Sequence, residues 1–334
     1  MIVVTGAAGF IGANLVKGLN DAGVNDILAV DDLSQADKIR NLADCVVADY
    51  MDKDEFREKT DNGQLDGKLR AIFHEGACSD TMASDGRYVM NNNYRYTRDV
   101  YEFCRRNQTQ YIYASSASVY GGGSVFKEAP EYEEPLNAYA YSKYQFDHHL
   151  RQSPPDGFQA VGLRYFNVYG PREQHKGRMA SVAYHFFNQY VANGKLALFE
   201  GSAGYAHGEQ LRDFVAVEDV VKVNLHLLNT PSVSGCFLNV GTGQCRSFND
   251  VAMAVINSLH DIFDKPQLTL EAAVSGGYLS YIPMPEALQG KYQSYTQADI
   301  QALRETSYDA VFDDVNAGVG RYVRHLWKQH QAAQ

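Results

Sequence analysis

The sequence predicts an α/β protein with a doubly wound parallel sheet and a second, smaller α/β domain. Apolar runs rich in β-branched residues alternate with segments of helical periodicity through the first half of the chain, which is typical of strands joined by crossover helices. The first apolar run passes directly into a glycine-rich turn. Polar side chains stand just after several later runs, and ligands of such sheets bind beyond the carboxyl ends of the strands.

Length and composition agree with a folded protein of one large or two modest domains. The chain has 334 residues, of which 45% are hydrophobic, and this is enough to bury a substantial core. A net charge of -10 and a pI near 5.5 disfavour a nucleic-acid partner, because phosphate backbones are bound by positively charged stripes. Anionic small ligands remain compatible with local arginines and lysines.

The first half is expected to contain its elements in a regular order. Strands are expected over residues 2–5, 27–30, 45–48, 71–74, 111–115 and 160–165, and helices over residues 10–21, 91–106 and 141–151. After Gly170 and Pro171 the alternation loosens, with a helical pattern over residues 180–192 and a strand and helix over residues 214–228. The glycine-rich stretch 201–208 is interpreted either as a flexible linker or as a ligand-covering loop.

These patterns predict two domains, the smaller of them assembled from late, discontinuous segments. The larger domain is expected to comprise residues 1–169, 213–243 and about 295–310. The smaller, substrate-binding domain is expected to comprise residues 170–212, 244–294 and 311–334. Ser247, with Asp250 three residues later, is expected to cap a helix.

The first glycine-rich turn is the strongest single indication of a ligand. Gly6, Gly9 and Gly12 follow the first strand at three-residue spacing and open the first helix. Glycine lets the backbone approach a phosphate closely, and the helix start offers unpaired N–H groups and a positive dipole end. Asp31 and Asp32 end the second strand about 20 residues beyond the turn, where an acid can reach the adenosine ribose of a dinucleotide.

The cysteines and histidines indicate neither disulfides nor a metal site. The five cysteines lie far apart and form no CxxC pair: Cys45, Cys78, Cys104, Cys236 and Cys245. His148 and His149 point to different faces of a helix and lack a third ligand, so no metal is assigned. Reduced thiols, no signal peptide before the first strand and no apolar run of about 18 residues lead us to expect a cytoplasmic protein.

Tyr139 and Lys143 stand four residues apart, so on a helix their side chains share one face. An ammonium near a phenol favours the phenolate, which is expected to lower the pKa of Tyr139 and make it a base near neutrality. Ser116 follows the fifth strand, where its hydroxyl could hold a substrate oxygen that loses a proton. The alternative interpretation is an ordinary exposed tyrosine and lysine on a helix.

Together these motifs resemble the extended short-chain dehydrogenase/reductase family. The family pattern consists of the glycine turn, a Ser or Thr after the fifth strand, and Tyr-x-x-x-Lys, and all three stand here in that order. Tyr141 has no lysine four residues on and does not fit the pattern. The resemblance implies a Rossmann sheet. Dehydratases of the family carry an acidic pair beside the Ser or Thr, whereas residues 115–121 contain no carboxylate, which favours epimerisation over elimination.

A narrower resemblance within the family is to the epimerases of ADP-linked heptoses. It rests on four strings: HEGACS at 74–79, RYFNVYGPRE at 164–173, HKG with MASV at 175–182, and FEGS at 199–202. Generic hexose 4-epimerases share the first half of these motifs but lack HEGACS and HKG. The similarity continues to residue 299 and so covers essentially the whole chain.

The resemblance implies redox-neutral inversion at C6 of ADP-heptose, in the supply of heptose for lipopolysaccharide. A tightly held NADP+ is expected to take a hydride from that carbon and return it to the other face. Two bases on opposite sides suit this inversion: Tyr139 matches one and Lys176 the other. Lys143 is expected to support Tyr139 and the nicotinamide ribose, and Ser116 to bind the reacting oxygen. For Lys176, a solvated loop lysine is the alternative.

The resemblance also implies which residues bind the cofactor. The matching positions, with the glycines of the turn, are Gly6, Gly9, Phe10, Ile11, Gly12, Asp31, Asp32, Lys38, Lys53, Glu75, Gly76, Ala77, Cys78, Ser79, Asn92, Lys143, Val168 and Lys176. Lys38 and Lys53 favour NADP, because a 2′-phosphate needs cations. Asp32 stands where the family has a neutral residue, and its added negative charge keeps NAD as the alternative.

For the nucleotide-sugar substrate, the matching positions are Asn167, Arg178, His185, Phe199, Glu200, Gly201, Ser202, Arg212 and Tyr292. Arg212 suits a diphosphate because its planar fork pairs bidentately with phosphate oxygens; the alternative is that Arg212 merely pairs with Asp213 or another surface acid. Arg178 occupies a usually small position, and the stretch 203–211 is longer than the family's loop. Both departures lie near the expected pocket and bear on substrate details.

The resemblance further implies a homo-oligomer, a pentamer, with no membrane or nucleic-acid partner. Two alternatives to this function stay open. One is another sugar-nucleotide enzyme of the family, such as a UDP-hexose 4-epimerase. The other belongs to a different class, a non-catalytic protein that senses dinucleotide ratio, against which the complete set of Tyr139, Lys143 and Lys176 argues.

Overall fold

The computed structural model describes residues 1–285 and 293–332. The chain divides into two compact units. Unit 1 consists of Met1–Tyr165, Val220–Val240 and Ile300–Asp309; unit 2 consists of Phe166–Asp219, Gly241–Asp299 and Ala310–Gln334. None of the helices within residues 1–285 and 293–332 combines the length and the hydropathy of a membrane span.

Strands and helices are numbered in chain order. The strands are β1 (Ile2–Thr5), β2 (Ile27–Asp31), β3 (Asp49–Asp52), β4 (Ala71–His74), β5 (Gln110–Ser116), β6 (Ala160–Tyr165), β7 (Asn167–Tyr169), β8 (Leu196–Phe199), β9 (Leu211–Arg212), β10 (Phe214–Ala216), β11 (Cys236–Val240), β12 (Arg246–Ser247) and β13 (Leu279–Ile282). The helices are α1 (Phe10–Asp21), α2 (Lys53–Asp61), α3 (Gly86–Val89), α4 (Tyr96–Asn107), α5 (Ala138–Gln152), α6 (Val182–Asn193), α7 (Val217–Leu228), α8 (Phe248–Ile262), α9 (Leu270–Ser275), α10 (Gln301–Glu305) and α11 (Val315–Ala332).

Unit 1 contains a seven-stranded parallel sheet in the order β11-β6-β5-β4-β1-β2-β3. In this sheet β1 lies between β2 and β4, and the strand order reverses direction at this point. A crevice for a ligand is therefore expected outside the carboxyl ends of these strands. Its core includes Val3, Leu28, Phe56, Ile72 and Tyr111, all buried. The predicted doubly wound α/β fold is confirmed.

Unit 2 holds three two-stranded sheets and its own core. The strands pair as β7 with β10, β8 with β13, and β9 with β12. Its buried core includes Phe187 on α6, Val255 on α8 and Val323 on α11. Helix α8 begins with the predicted cap, since the Ser247 side chain accepts from the backbone of Asp250 and the Asp250 side chain from that of Ser247.

One predicted strand is displaced. The apolar pattern predicts the third strand over residues 45–48, but β3 begins at Asp49, where its register places Asp49 opposite Leu28 and Asp52 opposite Asp31. β3 is an edge strand, and edge strands carry charged residues that weaken the apolar signal. Val46 in the predicted run is 56% exposed.

Two predicted helices begin earlier than the apolar pattern indicated. The segment expected over residues 91–106 starts at Gly86, with Asp85 as its cap, and contains a π-helical stretch at Met90–Arg95. The helix expected over residues 141–151 begins at Ala138, because the Asn137 side chain accepts from the backbone N–H of Ala140 at 2.9 Å. A cap is a local hydrogen bond, so hydrophobic spacing alone locates it poorly.

Candidate functional site

The Gly6–Gly12 turn has the geometry of a phosphate cradle. Gly6 has φ +65°, and a Cβ there would lie 2.7 Å from the Gly76 nitrogen; a Cβ at Gly12 would lie 2.1 Å from the Gly6 oxygen. No side chain caps α1 at Gly9, and its first turn has no acid. The N-terminal N–H groups of α1 are therefore oriented to receive an anion. These observations fit the pyrophosphate of a dinucleotide.

Asp31, at the end of β2, is tied to this turn. Its carboxylate is buried, accepts from the Ala8 N–H at 2.8 Å and pairs with the Lys38 ammonium. Lys38 also donates to the Asp32 carbonyl at 2.9 Å. The ion pair neutralises the negative charge that would repel a phosphate on the adjacent ribose.

Asp32 and Lys53 form a second pair of opposite charge. Their side chains lie 3.2 Å apart, and Lys53 also donates to the Asn92 side chain at 3.2 Å. Hydrogen bonds from Ser34 lower the pKa of Asp32 to about 2, and Lys53 adds to this shift. Burial lowers the pKa of Lys53, but the hydrogen bond and charge of Asp32 outweigh it, so the pKa is raised. Both groups are therefore charged at neutral pH.

Glu75 follows β4 and presents a buried carboxyl group. Its Oε1 accepts from the Tyr165 hydroxyl at 2.9 Å, whereas its Oε2 is buried with no hydrogen-bond partner among the described residues. Burial raises the pKa of Glu75 to about 7, against the opposing influence of Tyr165 and Lys143. An orphaned buried oxygen beside a glycine turn is a position that a bound cofactor could satisfy.

The next residues along the loop are held by Asn93. Its amide oxygen accepts from the Cys78 N–H at 2.8 Å, and its amide nitrogen donates to the Cys78 carbonyl and to the Ser142 hydroxyl, each at 3.0 Å. Asn93 lies in the π-helical stretch Met90–Arg95, a distortion common at functional sites. These bonds join the 75–79 loop to α5, and sequence reasoning missed them because they connect distant segments.

Tyr139 and Lys143 lie one turn apart on α5, as predicted from their spacing. Lys143 is 3% exposed and donates from Nζ to the Ala114 carbonyl of β5 at 2.6 Å. Burial lowers its pKa to about 8, while Glu75 and Asp147 oppose this shift. The buried lysine is directed toward the end of the sheet and is not the exposed surface lysine of the alternative interpretation.

The expected lowering of the Tyr139 pKa is wrong for this structure. Burial raises the pKa of Tyr139; a hydrogen bond with Ser116 opposes this, and Cys78 and Glu75 add to it. The structure does bring Ser116, Tyr139 and Lys143 together at the carboxyl end of β5.

A buried network one turn beyond Lys143 holds α5 against the sheet. Asp147 accepts from the hydroxyls of Tyr113 at 2.8 Å and Ser115 at 2.9 Å, and it pairs with Arg164 at 2.9 Å. Arg164 and Glu133 are also paired, at 2.5 Å. Asp147 was not predicted from the sequence. It follows Lys143 by four residues on the same helix face, and this spacing could have indicated it.

In unit 2, Lys176 lies on the segment between β7 and α6. Its side chain is half-buried. Burial lowers its pKa, and the charge of Glu173 opposes this. The partial burial distinguishes Lys176 from the solvated loop lysine of the alternative interpretation.

The other substrate positions predicted in unit 2 lie on several elements. Asn167 and Val168 lie on β7, Arg178 precedes α6, and His185 lies on α6. Arg212 on β9 is 5% exposed, and its guanidinium lies 5.8 Å from the centre of the Phe248 ring. Tyr292 lies outside the described residues.

Asp213 has partners of its own beside Arg212. Its carboxylate accepts from Thr242, Gly243 and Ala298, through backbone N–H groups at 2.7 to 3.0 Å. This clamp joins β9 and β10 to two later loops of unit 2. It gives Asp213 a structural role of its own, which neither the expected diphosphate role of Arg212 nor the alternative pairing with Asp213 included.

The FEGS string ends β8 and opens a tethered loop. Glu200 donates its N–H to Ile282 at 2.8 Å, and the Gln210 side chain donates to Glu200 and Ser202 at 3.0 and 3.2 Å. A Cβ at Gly201 would lie 2.2 Å from the Tyr205 oxygen. The stretch 201–208 lies within unit 2 and closes on itself, so it is not a linker between the units.

Comparison with known proteins agrees with this geometry. Residues 2–241 match the NAD dependent epimerase/dehydratase family. The ADP-L-glycero-D-manno-heptose-6-epimerase of Thiobacillus denitrificans is 58% identical over 325 residues, which cover 97% of this chain and 98% of that protein.

Solved structures give the same picture of the fold. The crystal structure of the Helicobacter pylori ADP-L-glycero-D-manno-heptose-6-epimerase has a TM-score of 0.77 at 29% identity, covering 97% of this chain and 95% of that one. A UDP-N-acetylglucosamine 4-epimerase from Methanobrevibacter ruminantium has a TM-score of 0.80 at 23% identity, covering 98% of each chain, and shows the shared fold. With its glycine turn and the Ser116, Tyr139 and Lys143 cluster, the chain belongs to the NAD dependent epimerase/dehydratase family.

Proposed function

We propose that the protein converts ADP-D-glycero-β-D-manno-heptose to ADP-L-glycero-β-D-manno-heptose by inversion at C6. The observation that carries the proposal is the 58% identity, over 97% of the chain, to the ADP-L-glycero-D-manno-heptose-6-epimerase of Thiobacillus denitrificans. The cluster of Ser116, Tyr139 and Lys143 at the end of β5 supplies the groups that a reversible oxidation of an alcohol needs.

In this reaction Ser116 and Tyr139 hold the oxygen on the carbon that is inverted. Tyr139 takes the proton of that oxygen as the carbon is oxidised and returns it on reduction. Lys143, fixed by its 2.6 Å bond to the Ala114 carbonyl, lies one helical turn from Tyr139 and would stabilise the phenolate as it develops.

We assign the second proton-transferring position to Lys176. Inversion involves both faces of the same carbon. A single base is positioned for only one of them, so a second base is needed for the other. A lysine whose pKa is lowered by burial is closer to a neutral amine at physiological pH, and so is better suited to exchange a proton. The half-buried position of Lys176 supports this assignment.

The cofactor proposed is NADP. When bound, NADP+ would supply a hydride acceptor for the inverted carbon and, once reduced, the hydride donor for its return. The turn of Gly6, Gly9 and Gly12, with Phe10 and Ile11 at the start of α1, would hold the pyrophosphate. Lys38 and Lys53, which pair with Asp31 and Asp32, would supply the cations for a 2′-phosphate. The remaining positions are Glu75, Gly76, Ala77, Cys78, Ser79, Asn92, Lys143, Val168 and Lys176.

We propose that unit 2 binds the nucleotide-sugar. Arg212, buried on β9, would pair with the diphosphate. The other positions are Asn167, Arg178, His185, Phe199, Glu200, Gly201, Ser202 and Tyr292. By resemblance we also propose a homo-oligomer, a pentamer, and a role in supplying heptose for lipopolysaccharide.

The two-base assignment is tested with a double variant, Tyr139→Phe with Lys176→Met. Because each base contributes about 10²- to 10⁴-fold to a proton transfer, inversion of ADP-heptose should be abolished while the cofactor still binds. Tyr141→Phe is the matched control, since Tyr141 lies on the same helix and is exposed; it should keep full activity. Full activity in the double variant would refute the two-base assignment.

A further inference from the structure

The segment from Gly170 to Ser181, which carries Lys176, has an unusual backbone. Gly170 has φ +145°, Arg172 has φ +73° and Gly177 has φ +53°. Arg172 is not a glycine, and a left-handed residue with a side chain is strained and persists only where its surroundings hold it. A Cβ at Gly170 would lie 2.6 Å from a methyl group of Val217. The segment therefore requires glycine at Gly170 and keeps Arg172 in a strained conformation.

One buried carboxylate joins the two ends of this segment. Glu173 is fully buried. Its Oε1 accepts from the Ser181 hydroxyl at 2.6 Å and from the Gly170 N–H at 3.4 Å, and its Oε2 accepts from the Ser181 N–H at 2.5 Å. Gly170 begins the segment and Ser181 ends it, so a single side chain closes the loop.

The Glu173 carboxylate is stabilised because the loop ends at Ser181, at the start of α6. Ser181 caps α6, and its hydroxyl also accepts from the Tyr184 N–H at 3.3 Å. The positive end of the helix dipole favours a negative charge there. Glu173 also begins the turn that leads to Lys176, because its carbonyl accepts from the Lys176 N–H at 2.9 Å. The same residue thus fixes the loop ends and the backbone at Lys176.

We infer that Glu173 is the positioning residue for Lys176, holding the loop so that the lysine is placed before substrate binds. This inference rests on the proposed function of Lys176 as the second base. Displacing a reacting group by about 1 Å can cost on the order of 100-fold in rate. The charge of Glu173 also opposes the lowering of the Lys176 pKa by burial.

The test compares Glu173→Gln with wild type in the full chain with its cofactor. An amide keeps the size of the side chain but loses the charge and one acceptor oxygen. We expect kcat for ADP-heptose inversion to fall roughly 100-fold, with KM changed far less. Without substrate, the amides of residues 170–181 should exchange hydrogen faster by mass spectrometry. Glu131→Gln, an exposed glutamate, is the control and should change neither quantity.

Ser181→Ala keeps the buried carboxylate and removes one of its donors. It should produce the same two effects at smaller size, and it decides the question if Glu173→Gln does not fold. Wild-type exchange and wild-type kcat in the folded variants would overturn the inference. Lys176→Met, measured alongside, separates the two proposals: if it keeps full activity, the second-base role fails, whereas the exchange result still reports on the loop.

Discussion

The Glu75 carboxyl and the Lys143 ammonium each oppose the effect of burial on the other's pKa. Burial raises the pKa of Glu75 to about 7, and Lys143 opposes that shift; burial lowers the pKa of Lys143 to about 8, and Glu75 opposes that one. Glu75 follows β4, and Lys143 lies on α5. The charge state of the cluster near neutral pH therefore depends on both residues.

Glu75→Gln should move the pH profile of kcat. Without the carboxylate, the pKa of Lys143 falls further below its ordinary value, because a stabilising negative charge is lost. The reaction needs the ammonium form, so activity at high pH should decline at a lower pH than in wild type. The measurement is kcat at saturating substrate and cofactor between pH 6 and about 9.5. A decline at unchanged or higher pH would contradict this role of Glu75.

The same substitution should change stability in a pH-dependent way. The folded protein holds the Glu75 proton more tightly than the unfolded chain, since its pKa is raised from 4.5 to about 7. The favourable contribution is complete below pH 4.5 and is lost as the pH rises through about 7. As the pH rises between these two pKa values, the free energy of unfolding of Glu75→Gln should increase by up to about 3 kcal/mol relative to that of wild type.

Thermal unfolding of both proteins from pH 5 to 8 tests this expectation. The difference in midpoint between Glu75→Gln and wild type should grow with pH and level off above about 7. Glu131→Gln, which removes an exposed carboxylate, should show no such trend. A difference independent of pH would mean that Glu75 is not titrating in the folded protein.

Lys53→Met should weaken NADP binding more than NAD binding. The substitution removes one cation proposed to meet the 2′-phosphate and leaves Asp32 without its 3.2 Å partner. We expect the Kd for NADP to rise at least about tenfold, as for a lost charge-assisted hydrogen bond, and that for NAD to change little. Titration with both cofactors provides the measurement.

Lys17→Met is the matched control for Lys53→Met, because Lys17 also pairs with an aspartate, Asp21, but on the exposed face of α1. It should leave both affinities unchanged. Equal weakening of NADP and NAD in Lys53→Met, or tighter binding of NAD than NADP by wild type, would contradict the assignment of NADP.

Local patterns made much of the fold predictable. Gly6 and Gly12 could be recognised because the need for glycine there is a property of a short turn. The α5 pair, Tyr139 and Lys143, could be recognised because four-residue spacing sets a shared helix face. β3 was misplaced because an edge strand carries a weak apolar signal.

The partners of the site residues were less predictable. Lys143 donates to the Ala114 carbonyl, and every residue offers such a carbonyl, so no side-chain pattern points to it. Glu173 bonds backbone groups at both ends of a strained loop, and its role depends on backbone angles that residue types alone do not reveal. Sequence patterns thus indicated the groups that could react, while the structure revealed what holds them.

Inversion at C6 of ADP-heptose can be measured by comparing two nucleotide-sugar substrates. The protein with NADP is incubated separately with ADP-D-glycero-β-D-manno-heptose and with UDP-glucose, and each nucleotide-sugar is followed by proton NMR. We expect the D-glycero substrate to be converted to a mixture containing the L-glycero epimer, and UDP-glucose to be unchanged. Formation of UDP-galactose with ADP-heptose left untouched would contradict it.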